Sequence, residues 1–190
     1  MNLVFAAALE LQTFCQQWDW RFCLIGGVAL QRWGEPRQTV DVDITLLTGF
    51  GDEEKFIRPM LAQFRPRRAD AAEFALRNRV LLVENAQQVG MDIALGGQPI
   101  EEQTIERASL YDIGSGHQLR TCIAEDLVVH KCFASREQDW IDVRNVLEKQ
   151  RGKLRVAQIY EELTPLAELK AQPDIVDRLR NLLGKVERPR

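Results

Sequence analysis

The chain lacks several features that would classify it at once. None of its apolar runs approaches the ~18 residues that a membrane-spanning helix needs, so no membrane partner is expected. Its 25 lysines and arginines do not outnumber its 28 aspartates and glutamates. A formal charge of −3 and a pI near 5.5 exclude the global positive field of a general nucleic-acid binder. Histidine is almost absent: His117 and His130 are the two in the chain, and neither forms a zinc-binding pattern with cysteine. The four cysteines, Cys15, Cys23, Cys122 and Cys132, include no C-x-x-C pair and sit in apolar runs. They read as reduced, buried thiols of a cytoplasmic protein. The N-terminus "MNLVFAAALELQTF" has no basic lead and meets Glu10 early, so it reads as a helix and not as a signal peptide. No internal repeat or low-complexity tract is present.

What remains is an ordinary globular composition, 45% apolar and 28% charged over 190 residues, enough for one domain or a compact pair of sub-domains. Apolar positions recur at helical spacing over residues 3 to 18. "RFCLIG" is a short buried strand ending at Gly26-Gly27, "VALQRW" a short helix stopped by Gly34 and Pro36, and "TVDVDITLL" an alternating, β-branched strand. After Gly49 and Gly51, "DEEKFIRPMLAQF" predicts an amphipathic helix. Residues 73 to 84 and 88 to 95 predict a strand pair around a polar turn, and 108 to 113 with 117 to 123 a hairpin over "GSGH". From Ala124 the periodicity is helical to the end. A sub-domain boundary is therefore expected near residue 123, with an α/β core over 1–123 and helices over 124–190.

The chemistry concentrates in "CLIGGVALQRWGEPRQTVDVDITL", residues 23 to 46. Side chains at i and i+2 of a strand leave from one face, so Asp41 and Asp43 point together while Val40, Val42 and Ile44 turn the other way. Aspartate is disfavoured in strands, and two parallel carboxylates repel unless a positive charge lies between them. Taken alone the pair also fits a half-exposed strand with a polar outer face. "GMDIAL" is a second apolar-Asp-apolar strand. Were it to lie beside residues 40 to 46, Asp92 would come within roughly 5 Å of the pair. Three such carboxylates suit Mg²⁺ or Mn²⁺ together with substrate phosphates. Gly26-Gly27 falls where a strand ends and a helix begins. There backbone can approach a ligand closely and helix-start N–H groups favour phosphate.

With Ile25, Gly26, Gly27, Asp41, Val42, Asp43, Ile44 and Asp92 in this order, the sequence resembles the polymerase β-like nucleotidyltransferases. It looks most like the abortive-infection (AbiEii-type) toxin nucleotidyltransferases and their bacterial relatives, in which Arg-x-Ser/Thr precedes the acidic pair, as Arg37-Gln38-Thr39 does here. A later lysine followed by Asp-x-x-Asp matches Lys131, Asp139 and Asp142. The resemblance spans residues 23 to 145. It implies an α+β fold, a mixed sheet flanked by helices followed by a C-terminal helical sub-domain, and metal-dependent transfer of a nucleoside monophosphate from an NTP to a hydroxyl. On that likeness Asp41 and Asp43 bind both metals. Asp92 binds the catalytic metal and serves as base. Gly26, Gly27, Arg37, Thr39 and Lys131 bind the nucleotide. The glycine pair here has Ile25 before it and Val28 after it, which leaves phosphate contact at this turn to backbone N–H groups.

The acceptor is left open between a tRNA 3′ end, a partner protein and a small molecule such as an aminoglycoside or lincosamide; a toxin with an antitoxin protein as partner also fits. Two other readings compete. One is a catalytically inactive module that binds a nucleotide or a partner, against which all three aspartates speak. The other is an unrelated α/β domain with accidental acidic strands, in which Asp92 would stand far from Asp41 and Asp43. Asp139 and Asp142 share a helix face and read as structural partners of Lys131 or Arg144. The basic run "RPRR" reads as a solvated loop, or as a backbone contact if the acceptor is RNA.

Overall fold

A computed structural model of the chain describes residues 2–187. They divide into two compact units, one built from residues up to Val28 and from Gln38–Cys122, the other from Ala29–Arg37 and from Ile123 onward.

The first unit opens with α1 (Leu3–Gln17). Asn2 caps this helix, its side chain accepting the Val4 N–H at 2.9 Å, and Val4, Ala7, Ala8, Leu11 and Cys15 line its buried face. The chain continues through β1 (Phe22–Leu24), α2 (Gly26–Trp33, of which Ala29 onward belongs to the second unit), β2 (Asp41–Leu47), α3 (Glu54–Gln63), β3 (Arg65–Pro66), α4 (Ala71–Asn78), β4 (Val80–Glu84), β5 (Gly90–Gly96), α5 (Pro99–Arg107), β6 (Ser109–Asp112) and β7 (Gln118–Thr121). Among the described residues the strands form one mixed sheet in the order β3-β4-β5-β2-β1-β7-β6. The β2–β5 and β1–β7 pairs are parallel and the other neighbours antiparallel.

Alternation along β2 and β5 sends Val42, Ile44, Leu46, Met91, Ile93 and Leu95 into the core, with Leu81 and Val83 of β4. There they share one apolar cluster with Ala7 and Leu11 of α1, Ile57 and Met60 of α3 and Ala75 of α4. Burying each large aliphatic side chain contributes about 1.5–3 kcal/mol, which pins the register of both strands. The same alternation leaves Asp41, Asp43 and Asp92 half-exposed on the opposite face.

Two helices differ from the expectation. Residues 73–78 belong to α4 and not to a strand: Ala71 and Ala75 bury one face, and Arg79, in the left-handed region at φ 55°, ends the helix before β4 begins. Helix α5 has a weak apolar pattern, with Thr104 and Ile105 as its buried residues. Its start carries a clearer signal, Pro99 in the first turn and the Glu101 carboxylate accepting the Gly97 and Gln98 N–H groups at 2.8 Å each.

The second unit holds α6 (Ala124–Ala134), α7 (Glu137–Lys149), α8 (Val156–Leu169) and α9 (Asp174–Glu187). They pack through buried Leu127, Val128, Val143, Val146, Ile159, Leu163, Ile175 and Leu179. Ser135, at φ 59°, separates α6 from α7. Residues 29–37 join this unit because α7 holds them: Lys149 Nζ donates to the Gly34 carbonyl at 2.7 Å and Gln150 to the Trp33 carbonyl at 3.0 Å. All four cysteines are free thiols and buried, as expected, and burial pushes Cys15 up to about 12, where the reactive thiolate is absent at neutral pH. Among the described residues no helix is long and apolar enough to cross a membrane.

Candidate active site

Strands β2 and β5 run parallel with Asp43 directly opposite Asp92 and Asp41 opposite Gly90. The acidic residues of both strands therefore meet on one open sheet face. The reading in which Asp92 stands far from the pair does not describe this chain.

The glycine pair is explained by what packs on it. Gly26 lies at φ +56°, and a Cβ there would fall inside the Asp43 side chain, 2.6 Å from its Cγ and 2.8 Å from its Cβ. A Cβ on Gly27 would run into Thr39, 2.8 Å from that residue's Cβ. The Gly27 N–H donates to Asp43 Oδ2 at 3.4 Å, and the Ile25 N–H donates to the Asp43 carbonyl at 2.9 Å. The turn that ends β1 is thus bonded to Asp43 through side chain and backbone at once. Thr39 donates its hydroxyl to the Asp41 carbonyl at 3.3 Å, closing the loop before β2 against that turn.

Gly90 does the same for Asp41. A Cβ there would crowd the Asp41 carboxylate and lie 2.7 Å from Arg67 Nη1. Into this space Arg67 extends from just beyond β3, paired with the Asp92 carboxylate and 3.8 Å from Asp41 Oδ1. The cation between Asp41 and Asp92 is thus a side chain of the protein. Burial raises the Asp92 pKa and the Asp41 charge adds to the rise, while Arg67 opposes it; the net direction is upward. The basic run is therefore not a simple solvated loop. Arg65 pairs with Glu84 at 3.3 Å, Arg68 with Asp70 at 2.9 Å, and Arg67 turns onto the aspartates. Arg67 is a site residue that no motif marks; its signal in the sequence is the electrostatic demand of the Asp-x-Asp pair, one member of which, Asp41, it approaches.

The donor set of this face is carboxylate oxygen throughout, which fits a hard divalent cation such as Mg²⁺ or Mn²⁺. Among the described residues no three acidic, imidazole or thiol side chains stand in ready-made coordinating geometry. In this arrangement the Arg67 guanidinium occupies the electropositive position between Asp41 and Asp92.

Arg37 and Lys131 are gathered in the second unit around two buried aspartates. Lys131, 6% exposed, places Nζ 2.7 Å from Asp142 Oδ2 and 3.1 Å from Asp139 Oδ1. Arg37 makes a bidentate pair with Asp142, 3.0 Å on each arm, and Gln138 adds a bond at 3.1 Å. Arg136 Nε donates to Asp139 Oδ2 at 2.7 Å. Burial raises both carboxyls, but the bonds and charges of these partners outweigh it and hold Asp139 and Asp142 below the usual carboxylate range. The structural pairing expected of the two aspartates is what the fold contains.

No protein-family model matches the chain, and no curated protein is similar to it in sequence. Solved structures do share its fold. The lincomycin-bound lincosamide antibiotic adenylyltransferase LnuA is 13% identical, with a TM-score of 0.53 over 77% of this chain and 98% of that one. An antigenic nucleotidyltransferase-like protein from Paracoccidioides brasiliensis is also 13% identical, with a TM-score of 0.51 over 94% of this chain and 92% of that one. The mixed sheet flanked by helices, continued by C-terminal helices, is the nucleotidyltransferase fold.

Proposed function

We propose that the chain is a metal-dependent nucleotidyltransferase that moves a nucleoside monophosphate from an NTP to a hydroxyl acceptor. The observation that carries this reading is the in-register placement of Asp43 and Asp92 on adjacent parallel strands, with Asp41 two residues before Asp43 and the glycine turn bonded to Asp43. Asp41, Asp43 and Asp92 would hold Mg²⁺ or Mn²⁺; bound there, divalent cations neutralise triphosphate charge and acidify the acceptor hydroxyl. Asp92, its carboxyl raised by burial, takes the acceptor proton. The acceptor oxygen bonds to the α-phosphorus as the bond to the bridging oxygen breaks, and pyrophosphate leaves. Gly26 and Gly27, at the start of α2, offer N–H groups to phosphate. Thr39 orders that turn, Arg37 and Lys131 are the further nucleotide-binding residues on the motif match, and residues 1–123 are the catalytic core, with a helical sub-domain over 124–190.

The acceptor belongs to one of three classes, a tRNA end, a protein or a small molecule, and the formal charge of −3 leans against long nucleic acid. Kinship with the abortive-infection toxins, and with it an antitoxin partner and a bacterial cytoplasmic setting, rests on motif order. A second reading, an inactive nucleotide- or partner-binding module, is favoured by the guanidinium already lodged between Asp41 and Asp92. Calorimetric titration of each NTP with and without Mg²⁺ separates the two. Metal-dependent binding of one NTP, lost in Asp41→Ala/Asp43→Ala, supports the enzyme and names the base for the acceptor search. Absence of binding to all four NTPs overturns the enzyme reading.

A further inference from the structure

We infer that Arg67 is a built-in counter-cation of the nucleotide-free site, which occupies the position between Asp41 and Asp92 and competes with free divalent metal for it. The inference rests on the metal-binding reading of the three aspartates and adds a determinant of when metal enters.

Three features converge on Arg67. It is the member of the basic run whose side chain reaches this face, since Arg65 and Arg68 are engaged by Glu84 and Asp70. Its own backbone is anchored, the N–H donating to the Leu82 carbonyl at 3.1 Å, so the residue continues the β3–β4 pairing and its side chain starts from a fixed point. The lane it uses is kept open by Gly90, where a Cβ would crowd both Arg67 and Asp41. With about a quarter of its side chain exposed, Arg67 is shielded enough for its charge to be felt and close enough to solvent to swing out.

Without a cation, Asp41 and Asp92 would repel across two adjacent strands; Arg67 offsets that cost. A guanidinium presents a fork matched to carboxylates and does not itself coordinate metal. Free metal must displace it. A metal already bound to a triphosphate arrives with its own anionic partner, which can take up the released guanidinium. The device therefore favours metal entering with nucleotide over metal entering alone.

The test is Mn²⁺ binding to the nucleotide-free protein, followed by electron paramagnetic resonance, in wild type, Arg67→Gln, Arg67→Lys and Asp43→Asn. Removing one partly shielded opposing charge should tighten Mn²⁺ binding about tenfold in Arg67→Gln, the change that one such interaction corresponds to. Arg67→Lys, which keeps the charge but not the fork, should fall between wild type and Arg67→Gln, and Asp43→Asn should lose the signal. Thermal unfolding in EDTA should show Arg67→Gln less stable than wild type, with saturating Mn²⁺ closing the gap. Measurable Mn²⁺ binding with equal or weaker affinity in Arg67→Gln overturns the role of Arg67 and leaves the metal site standing. No Asp43-dependent binding in any variant overturns both.

Discussion

Gly26→Ala is the substitution whose cost follows most directly from the geometry. Two terms contribute. Alanine at φ +56° sits in the left-handed region, at about 1–2 kcal/mol. The added methyl also meets Asp43 at its Cβ, 2.8 Å away, so rotating the carboxylate does not clear the overlap and either the turn or β2 must shift. Displacements of that kind in packed positions cost about 1–3 kcal/mol. The expected loss is therefore about 2–5 kcal/mol, read as a lowered urea midpoint at unchanged m-value. Two controls separate the terms. Gly27→Ala carries a clash with Thr39 without a left-handed φ and should cost about 1–3 kcal/mol. Gly184→Ala, in α9 with open space around it, should stabilise by about 0.5–1 kcal/mol. Because the shift moves Asp43, Gly26→Ala should also lose metal-dependent NTP binding under conditions where it is folded. A Gly26→Ala protein within 0.5 kcal/mol of wild type, against an estimate at least four times larger, would refute the packing account of the glycine turn.

Lys131→Met should destabilise the second unit by about 1–3 kcal/mol, because Asp139 and Asp142 each lose one buried charged partner while Arg136 and Arg37 remain. Adding Asp139→Asn should recover part of that loss; a drop below about 1 kcal/mol in the single variant would mean the lysine is held there by nothing of consequence. Asp139 and Asp142 have folded pKa values below the unfolded value of about 3.9. Their contribution is thus present in full above that value and is lost as pH falls through the folded values. The urea midpoint should fall steeply below about pH 4, and Asp142→Asn, less stable at neutral pH, should show a shallower acid slope. Equal slopes in both proteins would remove Asp142 from the acid response.

Much of the architecture was legible locally. The period-two alternation of "TVDVDITLL" and "GMDIAL" requires that Asp41 and Asp43 share a face away from Val42 and Ile44, because a pleated strand offers no other arrangement. The helical texture after Ala124 is likewise a property of short-range spacing, and all four of its helices form where that spacing lies. The glycine turn after a buried strand was visible, but not its reason. Phosphate binding was the expected use, whereas the geometry adds a steric requirement set by Asp43 and Thr39, residues that reach Gly26 and Gly27 only when β2 lies beside β1.

What tertiary structure alone decided is which charges meet. Asp43 faces Asp92 because β2 and β5, 49 residues apart in sequence at this pair, run parallel in that register, and one residue of slip would turn Asp92 to the core. Arg67 reaches the same face from the edge of the sheet through the gap that Gly90 leaves, a path that exists only after four strands are in order. Arg37 finds Asp142 across 105 residues of chain. Local spacing determines helices, strands and faces because backbone geometry repeats every few residues. Ion pairs between distant segments have no such period, and their partners are chosen by the packing of apolar faces that brings those segments together.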